Sequence, residues 1–195
     1  MTTAAQVVSV ARSQLGYKEG RNNDTKYGRW YGLNHNPWCA MFVSWVAAKA
    51  GATKIIPKHA YTPAGAQWFK NRGQWYSKPR VGDIVYFDFP NDGVGRISHV
   101  GIVESVLSDG SIITIEGNTN GAGSREGDGV YRKKRKVGIK GYGRPKYTTG
   151  LKSNATIVKE VIAGKWGSGD ERIRRLRAAG YNPTTIQALV NKALS

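Results

Sequence analysis

Apolar positions recur with two different periods along the chain, and the change between them divides it into stretches. From Thr3 to about residue 80 the period is helical. Val7, Ala11 and Leu15 form one stripe; Thr3 with Gln6 matches a capping box at its start, and Gly16 suits its end. Residues 20–35 mix Gly, Asn and aromatics without a period and read as a loop. A second helix is expected with Asn36 as N-cap, Pro37 in the first helical position and Gly51 just past its end. Thr62 and Pro63 repeat that start for a shorter helix reaching about Asn71. Beyond residue 80 the residues turn to Val, Ile and aromatics between turn residues. Strands are predicted over 83–89, 98–107, 111–118 and 130–137, with Asp109-Gly110 as a two-residue hairpin turn. Helices first and strands after predict an α+β domain over residues 1–147.

The helical period returns after a linker at 148–153. Three amphipathic pieces at about 155–163, 170–179 and 183–193 predict a three-helix unit over 154–195, with Pro183 after Asn182 marking the last start. A unit this small lies near the lower limit for folding alone. Its core is expected to use most of Ile157, Val161, Trp166, Ile173, Leu176, Tyr181, Ile186, Val190 and Leu194.

Composition narrows the partners. Thirty Lys and Arg oppose 13 Asp and Glu, a net charge of +17 that concentrates the protein on polyanions. Nucleic acid, anionic lipid and the phosphate-rich polymers of bacterial walls all qualify. Cys39 is the one cysteine, so an intrachain disulfide and a Cys-rich zinc site are excluded. No stretch is apolar enough to span a membrane, and no membrane partner is expected. The first residues lack the basic start and apolar core of a secretory signal, which predicts synthesis for the cytosol without Sec export. The oligomeric state is left open.

With Asn36 as cap, Cys39 falls in the first helical turn, where unpaired N–H groups and the helix dipole favour a thiolate. A buried apolar cysteine fits the same position. The hairpin bears on that choice. With Asp109-Gly110 as the turn, Ser108 faces Ser111, Gly101 faces Asn118 and Val103 faces Glu116. His99, Glu116 and Asn118 then share one face, with His99 and Asn118 diagonal across Gly101. A base whose ring is oriented by polar neighbours is what an activated cysteine requires. A one-residue slip would split the group between faces. Singly, His99 reads as a histidine bonded to backbone, and Glu116 and Asn118 as an ordinary polar face. Together with Cys39 they favour the catalytic reading. His35 and His59 read as exposed or structural.

Asn-Pro-Trp-Cys-Ala-Met-Phe-Val-Ser-Trp (36–45), Gly-Asp-Ile-Val-Tyr-Phe (82–87), Ser-His-Val-Gly-Ile-Val (98–103) and Ile-Glu-Gly-Asn-Thr (115–119) resemble the CHAP family, cysteine, histidine-dependent amidohydrolases and peptidases with a papain-like core. The resemblance implies Cys39 as nucleophile, His99 as general base and then acid, and Glu116 as the residue orienting the imidazole. Asn118 would assist in orientation or substrate placement. The oxyanion donors would be the Cys39 N–H and Tyr27. Some CHAP domains hold calcium beside this loop. Here Asn22, Asn23 and Asp24 are present, but Met41 stands where a further acid is expected, so no metal or other cofactor is predicted.

The tail resembles the wall-binding repeat of certain phage lysozymes, the Cpl-seven type, through Val-Ile-Ala-Gly-Lys-Trp-Gly-Ser-Gly (161–169), Asp-Glu-Arg-Ile-Arg-Arg-Leu (170–176) and Ala-Gly-Tyr-Asn-Pro (179–183). That implies binding of the muropeptide unit, with Gly164, Lys165, Trp166, Asp170 and Arg174 as candidate contacts. Asp170 as a helix cap and Arg174 as a solvated side chain are equally compatible. The two resemblances together imply a peptidoglycan hydrolase of the endolysin kind, an amidase or endopeptidase released to the wall through a holin lesion. Anionic wall polymers are further expected partners. A bacterium's own wall-remodelling hydrolase is the alternative enzyme. A nucleic-acid-binding protein, suggested by the basic run 132–136, is the alternative of another class, disfavoured because no nucleic-acid motif accompanies the charge. Trp30, Tyr31, Trp38, Trp68 and Trp75 are available to line a substrate groove or to fill the core.

Overall fold

The segment after Pro37 is apolar on every side, and such a helix is stable only when protein surrounds it. In the computed structural model, which describes residues 2–90, 92–121, 127–148, 150 and 152–195, it forms α3 (Cys39–Lys49). Eight of its 11 residues are buried. The chain divides into two compact units, Met1–Tyr147 and Thr148–Ser195.

In the first unit, α1 (Ala4–Arg12) and α2 (Lys26–Tyr31) pack on α3. The expected capping box opens α1: Thr3 Oγ1 accepts from the Gln6 N–H at 3.2 Å, and Gln6 Oε1 accepts from the Thr3 N–H at 2.9 Å. The stretch expected as a loop over 20–35 instead contains α2. Thr25 caps it by accepting from the Gly28 N–H at 2.8 Å, and Gly32 ends it with φ 88°. Six residues are too few to display a period, so only these caps marked the helix. A fourth helix, α4 (Thr62–Lys70), starts at the Thr-Pro pair as expected, with Tyr61 rather than Thr62 as N-cap.

Among the described residues, six antiparallel strands form one sheet, in the order β1-β6-β2-β3-β4-β5. They are β1 (Trp75–Tyr76), β2 (Ile84–Phe87), β3 (His99–Val106), β4 (Ile112–Thr119), β5 (Gly129–Arg135) and β6 (Ile139–Gly143). The expected four strands are β2 to β5. Strand β6 was not among the expected strands; its Gly143 admits the Phe69 ring, which would lie 2.2 Å from an added Cβ. Helix α3 seats on the sheet in a similar way. A Cβ on Gly117 would come within 2.6 Å of Trp38 and 2.7 Å of Phe42, so only glycine allows this approach.

The β3–β4 hairpin departs from its expected register twice. Its turn holds three residues rather than two, with the Leu107 N–H donating to the Ser111 carbonyl at 2.9 Å. A bulge at Glu104 then shifts the pairing again, from Ser105↔Ile113 to Val103↔Thr114 and Ile102↔Ile115. Each shift alone would move the polar set to the other face. Together they displace the pairing by two residues, and the face is kept. Glu116 comes opposite Gly101 instead of Val103, with its Cγ 2.7 Å from where a Gly101 Cβ would stand.

The second unit is three helices, α5 (Asn154–Ile162), α6 (Gly169–Ala178) and α7 (Pro183–Leu194). Ser153 caps α5, and the Asn182 side chain caps α7 by accepting from the Thr184 and Thr185 N–H groups at 3.0 and 3.2 Å. Ile157, Val158, Val161, Leu176, Tyr181, Ile186 and Val190 make its core, with Trp166 packed against them. Two expected members are outside it: Ile173 is 39% exposed on the rim of a cleft between α6 and α7, and Leu194 is 69% exposed in the last turn of α7.

Gly117→Ala forces a methyl group into the Trp38–Phe42 contact and should cost about 1–3 kcal/mol of stability. Gly121→Ala, with nothing within 4 Å of its added Cβ, should cost little by comparison. Urea denaturation of both variants against the parent checks this, and equal costs would count against the close approach of α3.

Candidate active site

The position of Cys39 is set by the residue before it. Trp38 is fully buried, stacked on Tyr27 at 5.1 Å with 16° between the rings, and its Nε1 donates to Glu19 Oε2 at 2.6 Å. Anchored so, Trp38 takes the non-helical N-cap conformation (φ −116°, ψ 13°) and α3 begins at Cys39 itself. The expectation of Asn36 as cap and Pro37 as first helical residue is therefore corrected, because side-chain packing of Trp38 overrides the local preference of proline. The cap contributes no side-chain hydrogen bond to α3. The first-turn N–H groups beside Cys39 thus have no side-chain acceptor at the cap.

His99 opens β3 and is fully buried beside Phe87 and Phe89, both at 5.9 Å between ring centroids. Its Nε2 lies 2.9 Å from Glu116 Oε2. Its Nδ1 makes no hydrogen bond among the described residues, and the Cys39 thiol is the other group that acts on the ring. Burial opposes a charge on this imidazole, but Cys39 and Glu116 outweigh it and push the pKa up to about 9.

Glu116 is the best-held side chain of the group. Thr114 Oγ1 donates to its Oε1 at 2.5 Å, and Arg135 forks across both oxygens, with Nε to Oε1 at 2.9 Å and Nη2 to Oε2 at 2.5 Å. Burial raises the carboxyl, yet Arg135 and His99 prevail and hold it down to about 2. The Arg135 guanidinium itself lies over Phe89 and Phe87, at 4.9 and 5.5 Å from their centroids. Asn118 is buried two residues beyond Glu116, in a bulge between Glu116 and Thr119 with φ 56°.

The structure thus brings Cys39, His99 and Glu116 together, with Asn118 on the same strand as Glu116. It does not place Tyr27 as an oxyanion donor. The one Tyr27 hydroxyl proton goes to Gln14 Oε1 at 3.1 Å, and the ring is core beneath Trp38, where burial pushes the phenol up. Arg135 and Thr114 were missed. The residues at 132–136 read as a basic strand for a polyanion, yet four of the five are engaged within the fold. Arg132 pairs with Glu104 at 2.5 Å and Lys134 with Asp109 at 2.9 Å, Lys133 donates to the carbonyls of Asn120 and Gly121, and Arg135 holds Glu116. Strand period was the available signal: Arg135 shares a sheet face with Lys133, opposite Thr114, and so with Glu116.

Asp24 is used inside its own loop, its Oδ1 accepting from Asn34 Nδ2 at 2.6 Å and pairing with Arg29. Among the described residues no group of three or more His, Cys, Asp or Glu is disposed to hold a metal ion. His59 is buried, with Nδ1 donating to the Pro57 carbonyl at 3.0 Å, and burial pushes its pKa down; His35 is exposed. Trp38 is core, Trp68 and Trp75 are half-buried, and Trp30 is 39% exposed.

In the second unit, Gly164, Lys165, Asp170 and Arg174 are exposed and Trp166 is half-buried, its Nε1 donating to Glu160 Oε2 at 3.0 Å. Asp170 is not the cap of α6, because Ser168 holds that position and Asp170 follows Gly169 in the first turn. The cleft between α6 and α7, of about 510 Å³, is lined instead by residues such as Arg172, Ile173, Gln187 and Asn191.

Arg135→Ala leaves the Glu116 carboxylate buried without its strongest partner and should cost about 3–5 kcal/mol at neutral pH. In the parent, Glu116 is held to about 2 against an ordinary 4.5. Its stabilisation is therefore complete above the ordinary value and lost as pH falls through about 2. The gap between parent and variant should narrow over that same acid range in urea titrations. A gap independent of pH would contradict the pairing.

The CHAP domain family matches residues 30–118, and the CW_7 repeat family matches residues 155–194. The lysozyme of Streptococcus phage Cp-7 is 50% identical over 42 residues, which cover 22% of this chain and 12% of that protein. The chain therefore spans a small part of that relative's length. No solved structure matches. Cys39, His99, Glu116 and Asn118 all fall inside the first match, while Arg135 lies beyond it. Residues 30–118 of the first unit are thus similar to the CHAP domain family, and residues 155–194 of the second unit to the CW_7 repeat family.

Proposed function

We propose that the protein is a peptidoglycan hydrolase of the endolysin kind, in which Cys39 cleaves an amide bond of the bacterial wall. The observation that carries this reading is the buried His99–Glu116 pair beside the thiol, on a chain that also carries a CW_7 repeat. The thiol passes its proton to His99 Nδ1, and the thiolate attacks the amide carbonyl. First-turn N–H groups of α3 stabilise the oxyanion. The imidazolium then protonates the departing amine, leaving a thioester on Cys39. His99, neutral again, takes a proton from water, and the hydroxide releases the acyl group as carboxylate. Glu116 keeps the ring oriented and its cation stable, and Asn118 assists in that orientation or in placing substrate. The scheme needs no metal; Asp24 pairs with Arg29 and Asn34, and Met41 offers no carboxylate. The CW_7 unit holds the enzyme at the wall and raises its effective concentration there. Its exposed Gly164, Lys165, Asp170 and Arg174, with Trp166, are candidate contacts for muropeptide. The bond is that of an amidase or of an endopeptidase.

Cys39→Ala should reduce release of wall fragments by a factor on the order of 10⁴ or more. Mass spectrometry of the products from purified Gram-positive walls names the bond. Free lactyl-muramic acid with N-terminal L-alanine means amidase, and cut peptides still joined to sugar mean endopeptidase. Lysis undiminished in Cys39→Ala, or new reducing sugar ends, would end the proposal.

The rate should fall as pH rises through about 9, where the His99 proton is lost. Glu116→Gln removes a carboxylate that raises His99, so the alkaline limb should move down by about one unit or more. Rate profiles of parent and variant on the same walls read this directly, and an unmoved limb would detach Glu116 from the imidazole.

A further inference from the structure

Away from the thiol, two cavities of about 410 and 310 Å³ adjoin on the first unit, sharing Arg72, Gln74 and Lys146 as common walls. Arg80 lines the first and Lys54 the second. These four cations form no ion pair among the described residues. The acid on these walls is Asp83, and it is buried and already neutralised by Arg144, whose Nε and Nη2 donate to its two oxygens at 2.9 and 2.7 Å. The groove therefore keeps a concentrated positive charge that no ion pair among the described residues neutralises, unlike the basic run on β5.

We infer that this groove binds a wall polymer of alditol units joined by phosphodiesters. Guanidinium forks and lysine ammonium groups suit successive phosphate oxygens. The aromatic residues of the region decide between phosphodiester chains. Arg72 lies 3.7 Å over the Trp68 ring, Arg144 lies 4.1 Å over Tyr76, and Lys70 lies 5.0 Å from the Trp75 centroid. Single-stranded nucleic acid is held by bases stacking on such rings, but here cations already occupy ring faces. What the groove presents is charge, with a face of Trp68 and a face of Tyr76 already taken by arginine, and a polymer of phosphates that needs no stacking fits it. The inference does not depend on the thiol chemistry, because none of the groove residues belongs to the Cys39 site.

Arg72→Glu/Lys146→Glu, a reversal of two exposed cations, tests it in the full chain. Binding to purified poly(glycerol phosphate) is measured by titration at several salt concentrations, beside single-stranded DNA and poly-glutamate. Lys49→Glu/Lys140→Glu, equal in charge change and outside the groove, serves as control. The groove variant should bind the polymer at least about tenfold more weakly at low salt, with a shallower salt dependence, and the control should lose much less. Phosphate polymer should also bind the parent more tightly than either comparison polyanion. Equal losses in the two variants would show diffuse net charge instead of a groove. Tighter DNA binding would show a nucleic-acid surface, and equal poly-glutamate binding would remove the phosphate preference; each overturns the inference. Fragment release from polymer-stripped walls should be unchanged in the groove variant, so failure here and failure of the hydrolase reading are separately visible.

Discussion

A carboxylate at zero exposure is costly unless every oxygen is used, and the first unit is arranged around meeting that requirement at Glu116. Arg135 supplies two parallel donors, Thr114 a third and His99 a fourth contact. These come from three adjacent strands, so the pairing of β3, β4 and β5 is fixed by the same carboxylate that the histidine needs. Gly101 leaves the space that Glu116 fills, and Phe87 and Phe89 cover both the imidazole and the guanidinium. Exclusion of water strengthens every contact in this group and makes loss of any one member expensive.

How far the sequence revealed this site depends on the range of each interaction. The capping box of α1, the Thr62-Pro63 start and strands β2 to β5 are local and were legible. The face shared by His99 and Glu116 was also legible, through a register that was wrong in detail. A three-residue turn and a bulge at Glu104 offset one another, which no local pattern announces. The start of α3 was misplaced because Trp38 is fixed by Tyr27 and Glu19, partners far away in sequence. Arg135 was hidden by its neighbours: in a run of five basic residues, nothing local distinguishes the one turned inward.

The same limit applies to charge. A net charge of +17 is plain from composition, but composition cannot say which cations are spent internally. On β5 nearly all are, in pairs with Glu104, Asp109 and Glu116 and in bonds to backbone carbonyls. Around Arg72 and Lys146 the reverse holds, since the one acid there is taken by Arg144. The most conspicuous basic run is thus mainly structural, and scattered residues from three parts of the chain form the surface that keeps its charge. Only the fold separates the two.

The charges of the proposed catalytic group also explain why an arginine stands behind the glutamate. In the proposed reaction four groups alternate in sign before attack: thiolate, imidazolium, carboxylate and guanidinium. The set is neutral in a site that excludes water. When the imidazolium gives its proton to the amine and the sulfur becomes a thioester, one positive and one negative charge vanish together. Glu116 and Arg135 remain, and the set is neutral again. Without Arg135 the site would carry an uncompensated carboxylate at both stages, and burial would drive Glu116 to take up a proton instead. A protonated Glu116 no longer holds an imidazolium, and His99 would lose one of the two partners, with Cys39, that keep it charged up to about pH 9. Arg135 never approaches the scissile bond in this scheme, yet it keeps Glu116 ionised through the whole cycle.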